Sequence, residues 1–154
     1  MEFTHLNDAG EARMVDVSAK DVTARVAVAT GRVLVSAEVV SLLRAGDVPK
    51  GDALGTARIA GILGAKQTPN LIPLCHPIAI TGVDLDLEVS DDAVEIAATV
   101  RTRDRTGVEM EALTAVSVTA LTVIDMIKAI DPAAVITDIK VESKTGGKTG
   151  SWTR

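Results

Sequence analysis

Residues Thr106 to Ile130, TGVEMEALTAVSVTALTVIDMIKAI, fix the position of everything else in the chain. The stretch contains no Pro, and its one Gly, Gly107, precedes the first turn. Ala112 to Ile124 carry no charge, whereas the flanks carry Glu109, Glu111, Asp125 and Lys128. This pattern predicts a helix that ends at Asp131-Pro132. Glu111, Thr114, Val118, Leu121, Asp125 and Lys128 fall on one stripe roughly 100° wide. The plain reading is that acids at the N-terminus and Lys128 at the C-terminus complement the helix dipole. The functional reading is that the stripe carries chemistry at both ends.

Spacing decides how such a site would be assembled. Glu111 and Asp125 lie about 21 Å apart at ~1.5 Å rise per residue, so they cannot meet within one helix. Two helices packed antiparallel across a two-fold axis would bring the acids of one near Asp125 and Lys128 of the other. A site shared between subunits is the simplest arrangement that uses both ends.

Composition narrows the classes. The 154 residues suffice for one domain with a real core, and a hydrophobic content of 47% excludes a disordered chain. Phe3 and Trp152 are the only aromatic residues, so the core must be aliphatic and no stacking platform for single-stranded nucleic acid exists. A net charge of −5 also argues against a nucleic-acid partner. Cys75 is the sole cysteine, which suits a reducing cytoplasm, and with only His5 and His76 beside it a zinc site is not expected. The polar opening MEFTHLNDAGEARM is not a signal peptide, and no run of about 18 wholly apolar residues suggests a membrane span.

The remaining elements follow from periodicity. Residues 1–20 lack it and read as an arm. Alternation from Val22 predicts a strand with Ala24, Val26 and Val28 on its apolar face and Arg25 pointing away. Thr30-Gly31-Arg32 interrupts that strand, with Val33-Leu34-Val35 continuing it after a bulge. Ser36 reads as the N-cap of a helix that stops at Gly46. Pro49-Lys50-Gly51-Asp52 opens a second helix to about Lys66, whose Ala53, Gly55, Ala57, Ala60, Gly61 and Gly64 let another element approach closely. Thr68 to Pro77 is Pro-punctuated and reads as irregular; in an extended Cys75-His76 the side chains diverge, so the two would not form a nucleophile–base pair. Cys75 reads as a packing residue, and His76 as either a ligand contact or a structural histidine. Val83, Leu85, Leu87 and Val89, then Val94, Ile96, Ala98 and Val100, form a hairpin turning at Ser90-Asp91-Asp92. A last strand spans Val135 to Glu142, with Val135, Ile139 and Val141 on one face. Lys144 to Gly150 is a Gly-rich loop with two lysines; it lacks P-loop spacing, but its amides and ammonium groups could close over phosphates. These elements predict a single domain over 1–154, an α+β sandwich with 1–20 as an arm and 144–154 as a flexible tail.

Five motifs in order resemble the cyclic pyranopterin monophosphate synthase family, molybdenum cofactor biosynthesis protein C. They are KGD with TARIAGI (Lys50 to Ile62), PLCHP (Pro73 to Pro77), TGVEMEALTAVSV (Thr106 to Val118), DMIKA (Asp125 to Ala129) and KTGGKTG (Lys144 to Gly150). The resemblance covers nearly the whole chain. It implies a ferredoxin-like fold, an antiparallel sheet with helices on one face, in a hexamer built as a trimer of dimers with the site at the dimer interface. It implies a lyase that rearranges a cyclised dihydro-GTP, made by a partner radical enzyme, to cyclic pyranopterin monophosphate with loss of pyrophosphate. By motif match Asp125, Lys128 and Lys50 are the catalytic group. Leu74, Cys75, His76, Met110 and Glu111 are substrate-binding positions, and Glu109, Arg25 and Lys144 line the site. No cofactor is required by this reading, although Mg²⁺ could accompany the triphosphate. Many members carry a tyrosine just before the aspartate, where this chain has Ile124. The rival class is a non-catalytic small-molecule sensor, and the Asp125–Lys128 pair is the feature that favours an enzyme.

Overall fold

The computed structural model describes residues 4–154, so Phe3 and the first residues of the arm lie outside the described residues. The chain runs β1 (Thr23–Leu34), α1 (Ala37–Ala45), α2 (Ala53–Leu71), β2 (Ile80–Val89), β3 (Ala93–Asp104), α3 (Glu109–Ile127), β4 (Val135–Thr145) and β5 (Trp152–Thr153). All strand pairs are antiparallel, in the order β2-β3-β1-β4-β5. The first four strands therefore interleave as two split β-α-β units, which is the expected ferredoxin-like α+β sandwich.

Alternation explains the hairpin directly. Val94, Ile96, Ala98 and Val100 of β3 are buried, as is Leu85 of β2, while Asp84, Asp86 and Glu88 fall on the alternate face. The core is mainly aliphatic, its largest fully buried side chains being Ile127 with valines from β1, α1, β3 and α3, joined by Thr68 and Thr119. Ser36 caps α1 by accepting from Val39 N–H, and Gly46 ends it with φ 75°.

Four local expectations need correction. In β1 the buried residues are Ala27, Ala29 and Val33, so Arg25 lies on the core-facing parity beyond the end of the core. Small apolar residues on both parities left the sequence with no basis for choosing a face. Thr30-Gly31-Arg32 does not interrupt β1 against β3; Gly31 is there because a Cβ would meet Val116 Cγ1 of α3 at 2.7 Å. The irregularity falls on the β4 side, where Asp138 adopts φ 57°. That bulge resets the parity, so Val135 is exposed and Ile136 joins Ile139 against the core.

Finally, α2 continues through Pro69 to Leu71. Proline leaves the Ala65 carbonyl without its helical donor, and the buried Thr68 hydroxyl donates to that carbonyl at 2.9 Å instead. The glycines of α2 do admit a neighbour, and it is α3: a Cβ on Gly61 would sit 2.0 Å from Thr119 Oγ1, and one on Gly64 2.8 Å from Val118 Cβ. Among the described residues α3 alone would be able to cross a membrane by length and composition, yet 56% of that window is buried as the core helix of the sandwich. Beyond β4 the tail turns at Gly146 and Gly147 and returns as β5 alongside Ser143 and Lys144, with the Arg154 guanidinium over the Trp152 ring.

This topology places the site residues. β3 ends and α3 begins at one edge of the sandwich, where β1 starts and β4 finishes. α3 then crosses to the opposite edge, where β4 starts beside the end of β1.

Candidate active site

The N-terminal edge gathers most of the residues singled out by sequence. Two adjoining cavities open there, of about 790 and 340 Å³. The larger is walled by Arg25 at the start of β1, Lys144 at the end of β4, Glu109 in the first turn of α3, and the glycine turn carrying Lys148. Arg25 donates from Nε to the Asp104 carbonyl at 3.0 Å and from a terminal nitrogen to the Arg105 carbonyl at 3.1 Å, so the end of β3 holds its fork. Lys144 Nζ meets Glu109 Oε1 at 2.9 Å. Lys20, Arg25, Lys144 and Lys148 face only Asp21 and Glu109 as carboxylates in this cavity. A locally positive chamber thus forms in an acidic chain. Gly146 and Gly147 have positive φ, and side chains there would collide with the Ala24 carbonyl and the Arg25 guanidinium. The turn can lie against β1 only because those side chains are missing. Thr23 Oγ1, on the same wall, is buried without a hydrogen-bond partner.

The smaller cavity brings together Leu74, Cys75, His76, Met110 and Glu111. Glu111 is only 2% exposed, and its burial, with the Glu109 charge adding to it, pushes the carboxyl up to about 7. A carboxyl titrating near neutrality can both hold and release a proton. Burial also raises the Cys75 thiol, with Glu111 reinforcing the shift, so this sulfur is a neutral thiol and a poor nucleophile. His76 Nε2 touches the Val15 carbonyl; a carbonyl only accepts, so Nε2 carries the proton.

The remaining three residues are elsewhere. Asp125 and Lys128, at the C-terminal end of α3, meet Lys50 from the turn before α2, and none of them lines either cavity. Asp125 Oδ1 accepts from Lys128 Nζ at 2.8 Å and Oδ2 from Lys50 Nζ at 3.2 Å. The Lys128 and Lys50 hydrogen bonds and charges hold the Asp125 carboxyl below its usual range. Asp125 lies 16 residues beyond Glu109, about 24 Å along the helix. A single chain therefore holds two separate clusters of site residues.

Sequence reasoning missed Lys20, which lines both cavities. It sits in the aperiodic arm, where no spacing pattern marks a residue as inward-facing. His5 and Val15 were missed for the same reason; the arm folds against the PLCHP segment and walls the smaller cavity.

Comparison with known proteins agrees with these motifs. Residues 14–147 match the model of the MoaC family. The cyclic pyranopterin monophosphate synthase of Streptomyces coelicolor is 74% identical over 152 residues, covering 99% of this chain and 89% of the relative. That of Nocardioides sp. is 71% identical over 155 residues, covering 99% and 95%. Cyclic pyranopterin monophosphate synthase 2 of Mycobacterium tuberculosis is 60% identical over 153 residues, covering 99% and 92%.

Proposed function

The chain belongs to the MoaC family, and from that membership we propose how its residues divide the work of the reaction. It is an enzyme, a lyase of molybdenum cofactor biosynthesis that forms cyclic pyranopterin monophosphate from a cyclised dihydro-GTP with release of pyrophosphate. The observation that carries the residue assignment is the Asp125 carboxylate held between two ammonium groups, at 2.8 and 3.2 Å. Opening and reclosing purine-derived rings requires several proton transfers, and each positioned acid or base contributes about 10²–10⁴-fold. Asp125, Lys128 and Lys50 perform these transfers in our reading. Asp125 holds the two ammonium groups aimed at one place, and either can then protonate a ring nitrogen or the leaving oxygen.

The smaller cavity takes the ring system. Among the described residues no Phe, Tyr or Trp lines it, so Leu74 and Met110 supply apolar walls and Glu111 a hydrogen bond and an exchangeable proton. Cys75 packs beside it, and His76 shapes the wall. The larger cavity takes the phosphates: Arg25, Lys144 and Lys148 neutralise the departing pyrophosphate, and Glu109 orients Lys144. Mg²⁺ would enter on the phosphates themselves. Among the described residues no three His, Cys, Asp or Glu side chains converge on a metal position, and Mg²⁺ is commonly held by one or two carboxylates plus phosphate oxygens.

Both half-sites serve one reaction only if two chains combine, so the working unit in this proposal is a dimer, repeated in a hexamer as a trimer of dimers. The substrate is supplied by a radical enzyme, because cyclising GTP between sugar and base requires forming a carbon–carbon bond at an unactivated position. A reducing cytoplasm is the compartment that suits the single thiol.

The test is direct. Purified protein given the cyclised dihydro-GTP is expected to release pyrophosphate, and Asp125→Ala with Lys128→Ala is expected to lower the rate by at least about 10²-fold. Undiminished release from the double variant would remove these residues from the chemistry.

A further inference from the structure

Charge is sorted along the length of β3. Around its first residues Asp91, Asp92 and Glu95 are paired, with Arg44 and Arg32 as their partners. At its other end stand Arg103 and Arg105, both exposed, and among the described residues neither guanidinium has a carboxylate within ion-pair distance. Asp104 lies between them without neutralising either. Its Oδ1 accepts from the Arg105 N–H at 2.7 Å and its Oδ2 from the Ala79 N–H at 3.3 Å, so backbone donors occupy the carboxylate. Both arginines therefore keep their charge available to a ligand.

Neither arginine lines a cavity, yet both stand beside the larger one. The Arg105 carbonyl accepts from the Arg25 guanidinium at 3.1 Å, and Thr106 and Gly107, next in the chain, belong to the cavity wall. Arg103 is paired with Ala24 of β1, and Gly146, in the turn that carries Lys148, lies against the Ala24 carbonyl. Two strand spacings, about 10 Å, separate Arg103 from that turn. This matches the screening length of about 10 Å in about 0.1 M salt, so a guanidinium there acts on an occupant of the cavity without touching it. The chain as a whole carries a net charge of −5 and repels polyanions at a distance. Unpaired cations beside the cavity reverse that repulsion along one line of approach.

We propose that Arg103 and Arg105 form an outer landing surface for the polyphosphate end of the substrate, which draws it to the larger cavity through charge and touches none of the reacting atoms. This rests on the reading of that cavity as the phosphate site.

Two readouts separate the landing surface from the reading beneath it. One is kcat/KM for pyrophosphate release from the cyclised dihydro-GTP; the other is calorimetric binding of inorganic triphosphate, which needs no turnover. Attraction between one guanidinium and a triphosphate about 10 Å away is worth about threefold in about 0.1 M salt. Arg103→Gln with Arg105→Gln is therefore expected to lower kcat/KM and triphosphate affinity about 10-fold, with kcat unchanged. In about 1 M salt, where the screening length is about 3 Å, this variant and wild type are expected to converge. Arg103→Lys with Arg105→Lys keeps both charges and is expected to match wild type throughout. Arg44→Gln removes the same kind of charge at the opposite end of β3, about 35 Å away, and is expected to change neither readout. Unchanged kcat/KM or triphosphate affinity in the double Gln variant would overturn the proposal. A loss that persists in about 1 M salt, or one that appears in the Lys variant, would do the same by showing a direct contact. A comparable loss in Arg44→Gln would leave net charge as the cause and also sink it. If wild type releases no pyrophosphate, the functional reading fails instead, and triphosphate binding still decides; wild type that binds no triphosphate ends the proposal.

Discussion

The two ends of α3 carry the same kinds of residue and treat them in opposite ways. At the N-terminal end Glu111 is buried against a cavity wall, and desolvation lifts its carboxyl to about 7. At the C-terminal end Asp125 lies open to solvent between Lys128 and Lys50, and its carboxyl is held down. Burial without a counter-ion favours the neutral acid, whereas exposure beside two ammonium groups favours the anion. One end therefore offers a shaped chamber and a movable proton, and the other offers concentrated charge with no chamber around it. Each half lacks what the other has. That complementarity, more than any single distance, supports a site completed by a second chain.

The largest expected effect tests that complementarity. Asp125→Ala and Lys144→Ala damage opposite halves and should each lose about 10²-fold or more in turnover. If the site is shared, mixing the two inactive proteins and allowing subunits to exchange should restore a substantial fraction of activity, because some interfaces then pair two undamaged halves. Recovery no greater than the sum of the separate proteins would confine each site to one chain.

A second effect sharpens the contrast in titration. The folded-state value of Glu111 lies above its ordinary value of 4.5, so the folded state holds the proton more tightly between about 4.5 and 7. Stability from this group is complete below 4.5 and is lost as pH rises through 7, on the order of 3 kcal/mol at about 1.4 kcal/mol per unit. Asp125 has the opposite sign: it contributes above 3.8 and its contribution falls away as acid protonates it. Denaturant titration of Glu111→Gln should thus match wild type near pH 4 and exceed it at pH 8. A constant difference across that range would mean that Glu111 is not desolvated as its burial requires.

Much of this arrangement was legible in the sequence, for physical reasons that differ from place to place. The β2–β3 hairpin was clear because its two faces differ sharply, valine and leucine against aspartate and glutamate. The distance between the two ends of α3 was readable as well, since a helix without Pro has a fixed rise. β1 was not readable in this way, because Ala and Val occupy both parities and only packing against α3 chooses between them. Pro69 misled because the compensating Thr68 hydroxyl becomes visible only once the helix is in place. Lys20 could not have been found from pattern at all, because it lies in an aperiodic stretch and reaches the cavities only through the way that stretch enters β1.

The smallest effect concerns the ion pairs themselves. Lys144–Glu109 and Lys128–Asp125 have similar lengths, 2.9 and 2.8 Å, but the first is the less exposed and lies between a strand end and a helix terminus. A double-mutant cycle on stability should give roughly 0.2–1 kcal/mol for Lys144–Glu109, the usual range for a partly screened pair. The Lys128–Asp125 cycle should give no measurable coupling, because both side chains are solvated and adjacent on one helix. The same two cycles read on pyrophosphate release should reverse the ranking if, as proposed, Asp125 and Lys128 act on the reacting groups and Glu109 only orients a phosphate-binding lysine. Equal rankings in both measurements would mean that the C-terminal cluster is an ordinary surface ion pair, and the distinction between the two ends of α3 would lose its chemical meaning.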